Sequence, residues 1–191
     1  MSRFVHLHTH SHYSLLDGLG KIDDLVNRAK ELGMDSLAVT DHGNLYGAIE
    51  FYKKAKKAGL KPILGVEAYV APGSHKTKQA SGEKKYYHLI LLAKNNAGWK
   101  NLIKLVTLAN LEGFYYKPRV DKELLKEHNE GLIALSGCIT GEIAKNILNK
   151  NSAEAEKIAM EYENIFGKGN FYLEIGHHPG IKETVRANEG L

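Results

Sequence analysis

Short runs rich in β-branched and aromatic residues alternate along the chain with stretches whose apolar positions recur at helical spacing. FVHLH (residues 4–8) predicts a first strand, and residues 21–33 predict a helix with Ile22, Leu25, Val26, Ala29 and Leu32 on one face. SLAVT (36–40) predicts a second strand, followed by a helix over 44–58 that Gly59 closes as a C-terminal cap. KPILGVEAYV (61–70) predicts a third strand, and residues 71–85, rich in Gly, Ser and Lys, read as a long surface loop. YYHLILLAK (86–94) predicts a fourth strand. A helix over 96–111 follows, then a Tyr- and Pro-containing connection and a short helix near 121–128. GLIALSG (131–137) and NFYLEIG (170–176) predict the fifth and sixth strands, with helices over 140–149 and 152–166 between them and a helical stretch over 182–191.

Repeated strand–helix alternation gives an α/β fold with a mainly parallel sheet and helical crossovers. Six such strands fit an open doubly wound sheet or part of a barrel. No glycine-rich phosphate loop follows the first strand, which argues against a dinucleotide-binding fold and favours the barrel.

Composition changes the picture at one point. The 191 residues suit one domain, 43% hydrophobic and 25% charged with a net charge of +4, which is too mild a basic excess to decide anything about partners. A single cysteine excludes an internal disulfide framework and suits a reducing, cytoplasmic setting. The polar N-terminus does not read as a signal peptide, and no apolar run reaches the roughly 18–20 residues of a membrane span. Histidine is the exception: there are ten, four of them within residues 6–12. That clustering points to a metal.

The candidate ligands gather at strand ends. His8 and His10 close the first strand, Asp41 and His42 follow the second, and Glu67 lies late in the third. Cys138 follows the fifth strand, and His177 and His178 follow the sixth. In an α/β barrel the C-terminal strand ends ring one mouth, where sites are built. His88, early in its predicted strand, fits that rule less well. His8 and His10 share a face on extended backbone, since side chains alternate with a period of two, and His6 shares it if the strand continues. Imidazole, carboxylate and thiolate together suit zinc, manganese or iron better than magnesium or calcium. Plainer readings exist for each feature alone. His75 and His128 read as ordinary surface or core histidines, Cys138 as a small apolar filler, and Asp41–Asn44 as a turn ending in a helix cap.

These same residues carry a resemblance. HTHS (8–11), TDHGN (40–44), GVEAY (65–69), YHL (87–89) and LSGC (135–138) resemble the PHP (polymerase and histidinol phosphatase) family. The longer stretches HYSLLDG, HGNLYGAIEFYKKAKKAGLKPILGVEAYV, EGFYYKPRVDKELL and EGLIALSGC are similar to the N-terminal PHP domains of bacterial DNA polymerase III alpha subunits, the C-family replicative polymerases. The likeness spans essentially the whole chain.

The resemblance implies a distorted TIM-like barrel of seven strands and helices, with up to three divalent metals, zinc or manganese, in its mouth. By motif position the metal ligands are His8, His10, Asp17, His42, Glu67, His88 and Cys138; Asp17 stands where many members carry histidine, and Cys138 where others carry histidine or cysteine. His6, His12 and Asp41 lie beside the motifs without taking a ligand role. The implied activity is a phosphoesterase, a 3′–5′ exonuclease proofreading DNA, in which the metals lower the pKa of the attacking water and clamp phosphate oxygens. The implied partners are a DNA 3′ end or primer–template, the rest of the alpha subunit, a proofreading exonuclease subunit and other replisome proteins, with no membrane. Magnesium belongs to the polymerase domain, whose palm, thumb and fingers are not in this sequence. The family's final Asp-x-His motif is also absent, so the chain is expected to be an N-terminal fragment, residues 1–191 forming an incomplete PHP domain with its C-terminal strand missing. Two rival functions are a free-standing phosphatase of histidinol-phosphate type and a metal-stabilised docking module without turnover. The lysines of 75–85 (Lys76, Lys78, Lys84, Lys85) suit either DNA phosphates or plain solvation.

Overall fold

The computed structural model describes residues 4–78 and 86–191. Seven helices and six strands form around one mixed sheet. They run in the order α1 (Ile22–Glu31), β1 (Ser36–Val39), α2 (Ala48–Lys57), β2 (Lys61–Val70), β3 (Tyr87–Ala93) and α3 (Asn96–Leu111). Then come β4 (Arg119–Val120), α4 (Lys122–Glu127), β5 (Leu132–Leu135), α5 (Glu142–Leu148), α6 (Ser152–Phe166), β6 (Phe171–Tyr172) and α7 (Lys182–Gly190). The strand order is β1-β2-β3-β5-β6, with β4 paired to β2.

Alternation sorts the side chains of this sheet into two faces. Val66, Ala68, Val70, Leu89 and Leu91 point outward into the large core built with α3 and α6, while α1, α2 and β1 share a second core around Ile22, Val26, Phe51 and Leu60. The inner face carries Ala38, Ile90, Leu92 and Leu135, with Ile63 and Ile133 packed against them. Above this apolar floor the inner face turns polar, and a cavity of about 1580 Å³ opens between residues 4–10 and 172–178. The architecture is a distorted TIM-like barrel that is not closed among the described residues.

Several expectations need correction. The sheet is parallel in three of its five pairings, β1–β2, β2–β4 and β5–β6, as expected, but β3 runs antiparallel to both β2 and β5. Residues 4–8 form no regular strand. His6 O accepts from Ala38 N and Thr9 O from Thr40 N, so three steps on the N-terminal segment match two on β1. The extra residue acts as a bulge and interrupts the ladder. The helix over 44–58 starts late, at Ala48, because Asn44 Oδ1 accepts from Tyr46 N and closes a turn of its own. Its predicted cap is in place, with Gly59 at φ +78°. The sixth strand is two residues long rather than seven, since β5 turns away at Gly137 (φ +75°) and takes its ladder with it. The connection after α3 hides β4, which is too short for a periodicity to reveal.

Half of the basic loop is anchored. His75 is buried against Asp121, and Lys76 Nζ lies 2.7 Å from Glu112. Lys84 and Lys85 lie outside the described residues. No helix among the described residues is long and apolar enough to cross a membrane.

Candidate metal centre

Five separate segments bring side chains to one end of the inner face. The bulged N-terminal segment supplies His8 and His10, the loop after it Asp17, the turn after β1 His42, the later half of β2 Glu67, and the first residues of β3 His88. Antiparallel β3 explains why His88 belongs here: its N-terminal end lies beside the C-terminal half of β2, with His88 opposite Tyr69.

Glu67, only 1% exposed, is the hub. Its Oε2 lies 2.9 Å from His42 Nδ1, 3.0 Å from His10 Nε2 and 3.5 Å from His8 Nε2, and its Oε1 lies 2.7 Å from His88 Nδ1. Asp17, on the exposed side, places Oδ2 at 2.7 Å from His42 Nε2 and 3.6 Å from His10 Nε2. Three overlapping triads result: His8–His10–Glu67, His10–Asp17–His42 and His42–Glu67–His88, with ligand atoms within 4.8 Å of one another in each.

The imidazoles are oriented from behind. His10 Nδ1 donates to Thr40 O at 3.0 Å, since a carbonyl only accepts, which leaves Nε2 of the neutral ring as a lone pair facing Glu67. His8 Nδ1 lies 2.7 Å from Glu174 Oε1, which orients the ring with Nε2 toward Glu67. Such N–H bonds to carbonyls and carboxylates are the usual outer support of metal-bound histidine.

The donor set fits divalent metal. Glu67 Oε2 and His42 Nδ1 are buried and close, yet neither makes an aligned hydrogen bond. Buried ligand atoms that converge without a well-directed hydrogen bond are relieved by a cation, whether metal ion or proton. Electrostatics agrees. Burial alone would raise the Glu67 pKa, but contacts with His10, His42, His8 and His88 override it and hold the carboxyl well below the usual carboxylate range. Burial likewise works against charge on His8, yet Glu174 and Glu67 win and push its pKa up to about 10. In the same way Cys138 and Glu67 outweigh the burial of His88 and raise it to about 9, and Glu67 and Asp17 outweigh that of His42 and raise it too. The metal-free cluster thus holds protons where a metal ion would sit.

Six of the seven expected ligands converge in these triads. Cys138 stays exposed at the edge, its Sγ 2.8 Å from Thr140 Oγ1, and contacts with His88 and Thr140 lower its pKa against the opposing effect of desolvation. His177 and His178 line the cavity but join none of the triads. Asp41 is structural. It is buried and accepts from Ser11 N at 2.7 Å, Ser11 Oγ at 2.8 Å and Ser14 Oγ at 2.7 Å, which ties the Asp17 loop to the His42 turn. His6 packs on Phe4 instead of joining the cluster, and His12 packs on Tyr13. Sequence reasoning missed Glu174. Glu174 lies within the predicted sixth strand, on the same face as Tyr172, whereas His177 and His178 stand beyond its end.

Known proteins place this site in a lineage. The chain is 53% identical over 191 residues to the DNA polymerase III subunit alpha of Borreliella burgdorferi, covering 100% of this chain and 16% of that protein. It is 49% identical over 193 residues to the Thermus aquaticus DNA polymerase III subunit alpha, covering 99% and 16%. The chain therefore spans about one sixth of the length of the curated relatives it matches. Among solved structures, a Bifidobacterium adolescentis protein proposed to be a metal-dependent phosphoesterase superposes with TM-score 0.53 at 12% identity, over 97% of this chain and 82% of its own, a likeness of fold. The PHP domain family itself matches residues 6–178, a span that runs from the bulged N-terminal segment through every residue of the three triads. The chain belongs to the PHP domain family.

Proposed function

We propose that the chain is the PHP domain of a bacterial DNA polymerase III alpha subunit and that its mouth is a polynuclear metal-dependent phosphoesterase acting on the 3′ end of DNA. The observation that carries this reading is the buried Glu67 carboxylate with four imidazoles within 3.5 Å, two of them braced from behind by Thr40 O and Glu174. His8, His10, Asp17, His42, Glu67 and His88 would hold the ions, with Cys138 beside His88 as a further ligand. Mixed imidazole and carboxylate favours zinc or manganese. Metal bound there supplies an acidified water and neutralises phosphate oxygens. The protein's part is placement. Glu67 sets the spacing of the imidazoles, Thr40 and Glu174 fix ring orientation, and the apolar floor of Ile90, Leu92 and Leu135 excludes bulk water from below.

In this reading the partners are DNA, the remainder of a longer polymerase chain and the replisome proteins bound to it, in the cytoplasm. Hydrolysis of 3′-labelled single-stranded and primer–template DNA by the zinc- or manganese-loaded protein tests it. Release of labelled mononucleotide that disappears with chelator is expected, and release from the 5′ end alone would refute the polarity. A second reading has its own support. The cluster joins the N-terminal segment to β2, β3 and Glu174, so bound metal would staple the open side of the barrel without turnover. Metal-dependent stability with no hydrolysis of any phosphodiester would favour it. Hydrolysis of histidinol phosphate alone would favour a free-standing phosphatase.

A further inference from the structure

A second loop stands beside the metal cluster, and its chemistry differs from that of the ligands. Residues 113–118 abut the His42 turn: Gly43 has φ +62°, and a Cβ there would lie 2.9 Å from both Pro118 Cγ and a Tyr69 ring carbon. Only glycine lets the two loops approach so closely. The Tyr69 ring lies parallel to His42, with centroids 5.7 Å apart and 7° between planes, and Lys117 Nζ sits 5.6 Å from the Tyr69 centroid. Lys117 is therefore one aromatic ring away from a proposed metal ligand.

Two features mark this turn as a binding element. Lys117 has no carboxylate partner among the described residues, and its ammonium is instead placed over the Tyr69 ring that stacks on His42. Beside it, Tyr116 adopts φ +63° and is 64% exposed, with its ring edge-to-face on Tyr115 at 4.7 Å between centroids. A left-handed backbone is costly for a bulky residue and persists only where the surroundings impose it. Here they do. Tyr115 N donates to Lys117 O at 3.1 Å across the turn, and the Arg119 guanidinium packs 5.1 Å from the Tyr115 centroid. Arg119 is itself fixed by the carbonyls of Gly113, His75 and Thr77. A braced turn thus places an exposed aromatic residue and an ammonium with no carboxylate partner next to a centre whose own side chains include the carboxylates of Asp17, Glu67 and Glu174.

We propose that Tyr116 and Lys117 form a nucleotide subsite flanking the metal centre, with Lys117 on a backbone phosphate and Tyr116 stacked on a base of a single-stranded nucleic-acid end. This rests on the phosphoesterase reading above and deepens it. A nucleic-acid strand whose neighbouring phosphates pass a carboxylate-rich mouth gains from a cation outside the ligand set, and a base splayed from the stack gains from an aromatic platform that reads no sequence. The pair would select polymer ends over small phosphate esters.

The test uses metal-loaded protein, a 5′-fluorescent oligothymidylate for binding by anisotropy, and bis(4-nitrophenyl) phosphate as a substrate that carries neither a second phosphate nor a nucleobase. Lys117→Ala should weaken oligothymidylate binding about tenfold and flatten the salt dependence of log K by about 0.7, one phosphate contact on a single strand. Tyr116→Ala should weaken it by about tenfold at every salt concentration without changing that slope. Lys117→Arg and Tyr116→Trp should retain binding, and all four variants should hydrolyse the small ester at the parent rate. The proposal fails if the parent protein does not bind the oligonucleotide. It also fails if the Ala variants bind it unchanged, or if hydrolysis of the small ester falls in step with binding, which would make the turn a structural prop. A parent protein that binds oligothymidylate through Lys117 and Tyr116 but hydrolyses neither substrate would sink the phosphoesterase reading and leave the subsite standing.

Discussion

His88 stands opposite Tyr69 in the antiparallel β2–β3 ladder, which sets its ring on the same face as Glu67, two residues back along β2. A parallel β3 would have carried His88 to the far end of the barrel. The reversal of one strand thus completes the His42–Glu67–His88 triad.

Glu67→Gln is expected to remove the charge that raises the pKa values of His8, His42 and His88 in the metal-free protein. The His88 pKa, about 9 in the parent, should fall by at least one unit toward 6.5, and that of His8 should fall from about 10. An NMR titration of the imidazole resonances of chelator-treated protein reads this directly. Unchanged values would mean that Glu67 is not the hub.

Asp41→Ala should destabilise the fold by about 3 kcal/mol, because three donors, Ser11 N, Ser11 Oγ and Ser14 Oγ, lose one buried acceptor. The loop carrying Asp17 should loosen with it, so metal retention should fall although no ligand has been altered. Urea denaturation and metal analysis of the same sample check both parts. Full stability would show that water replaces the carboxylate without cost.

Away from the metal, Asp121 accepts from His75 N at 2.8 Å and Leu124 N at 2.9 Å, capping α4 and pinning the segment after β2. Its burial would raise its pKa, but these bonds and the His75 ring lower it below 3.8. A depressed carboxyl contributes stability above its unfolded value and loses it as pH falls through the folded one. Asp121→Ala should therefore cost about 2 kcal/mol near neutrality and progressively less below pH 3.8. Denaturation midpoints across pH 2.5–7 for both proteins measure the difference. A gap independent of pH would remove the charge from the explanation.

Much of this architecture was legible in the residues. The periodicities of Ile22–Glu31, Asn96–Leu111 and Ser152–Phe166 mark helices because one apolar face is buried along each, and KPILGVEAYV marks β2 residue for residue. What local pattern does not carry is direction and register. Strand polarity depends on which neighbour completes the ladder, so the reversal of β3 was invisible, and His88 looked misplaced. The bulge between His6 and Thr9 depends on pairing with Ala38 and Thr40, thirty residues on. The same limit applies to the site. The spacing of His8 and His10 predicts a shared face, whereas Glu174 becomes part of the cluster only because β6 pairs with β5 and brings its carboxylate to His8.

The central claim is that this cluster binds divalent metal that hydrolyses phosphodiesters, and the most direct measurement is elemental analysis of the parent protein and of the His8→Ala/His10→Ala double variant, paired with a 3′-end digestion assay on the same samples. The account predicts more than one equivalent of zinc or manganese in the parent and at least one fewer in the variant. Helix content should be preserved, and DNA-end hydrolysis should be lost together with the metal. Equal metal content in the two proteins, or hydrolysis that survives in the variant, would contradict it.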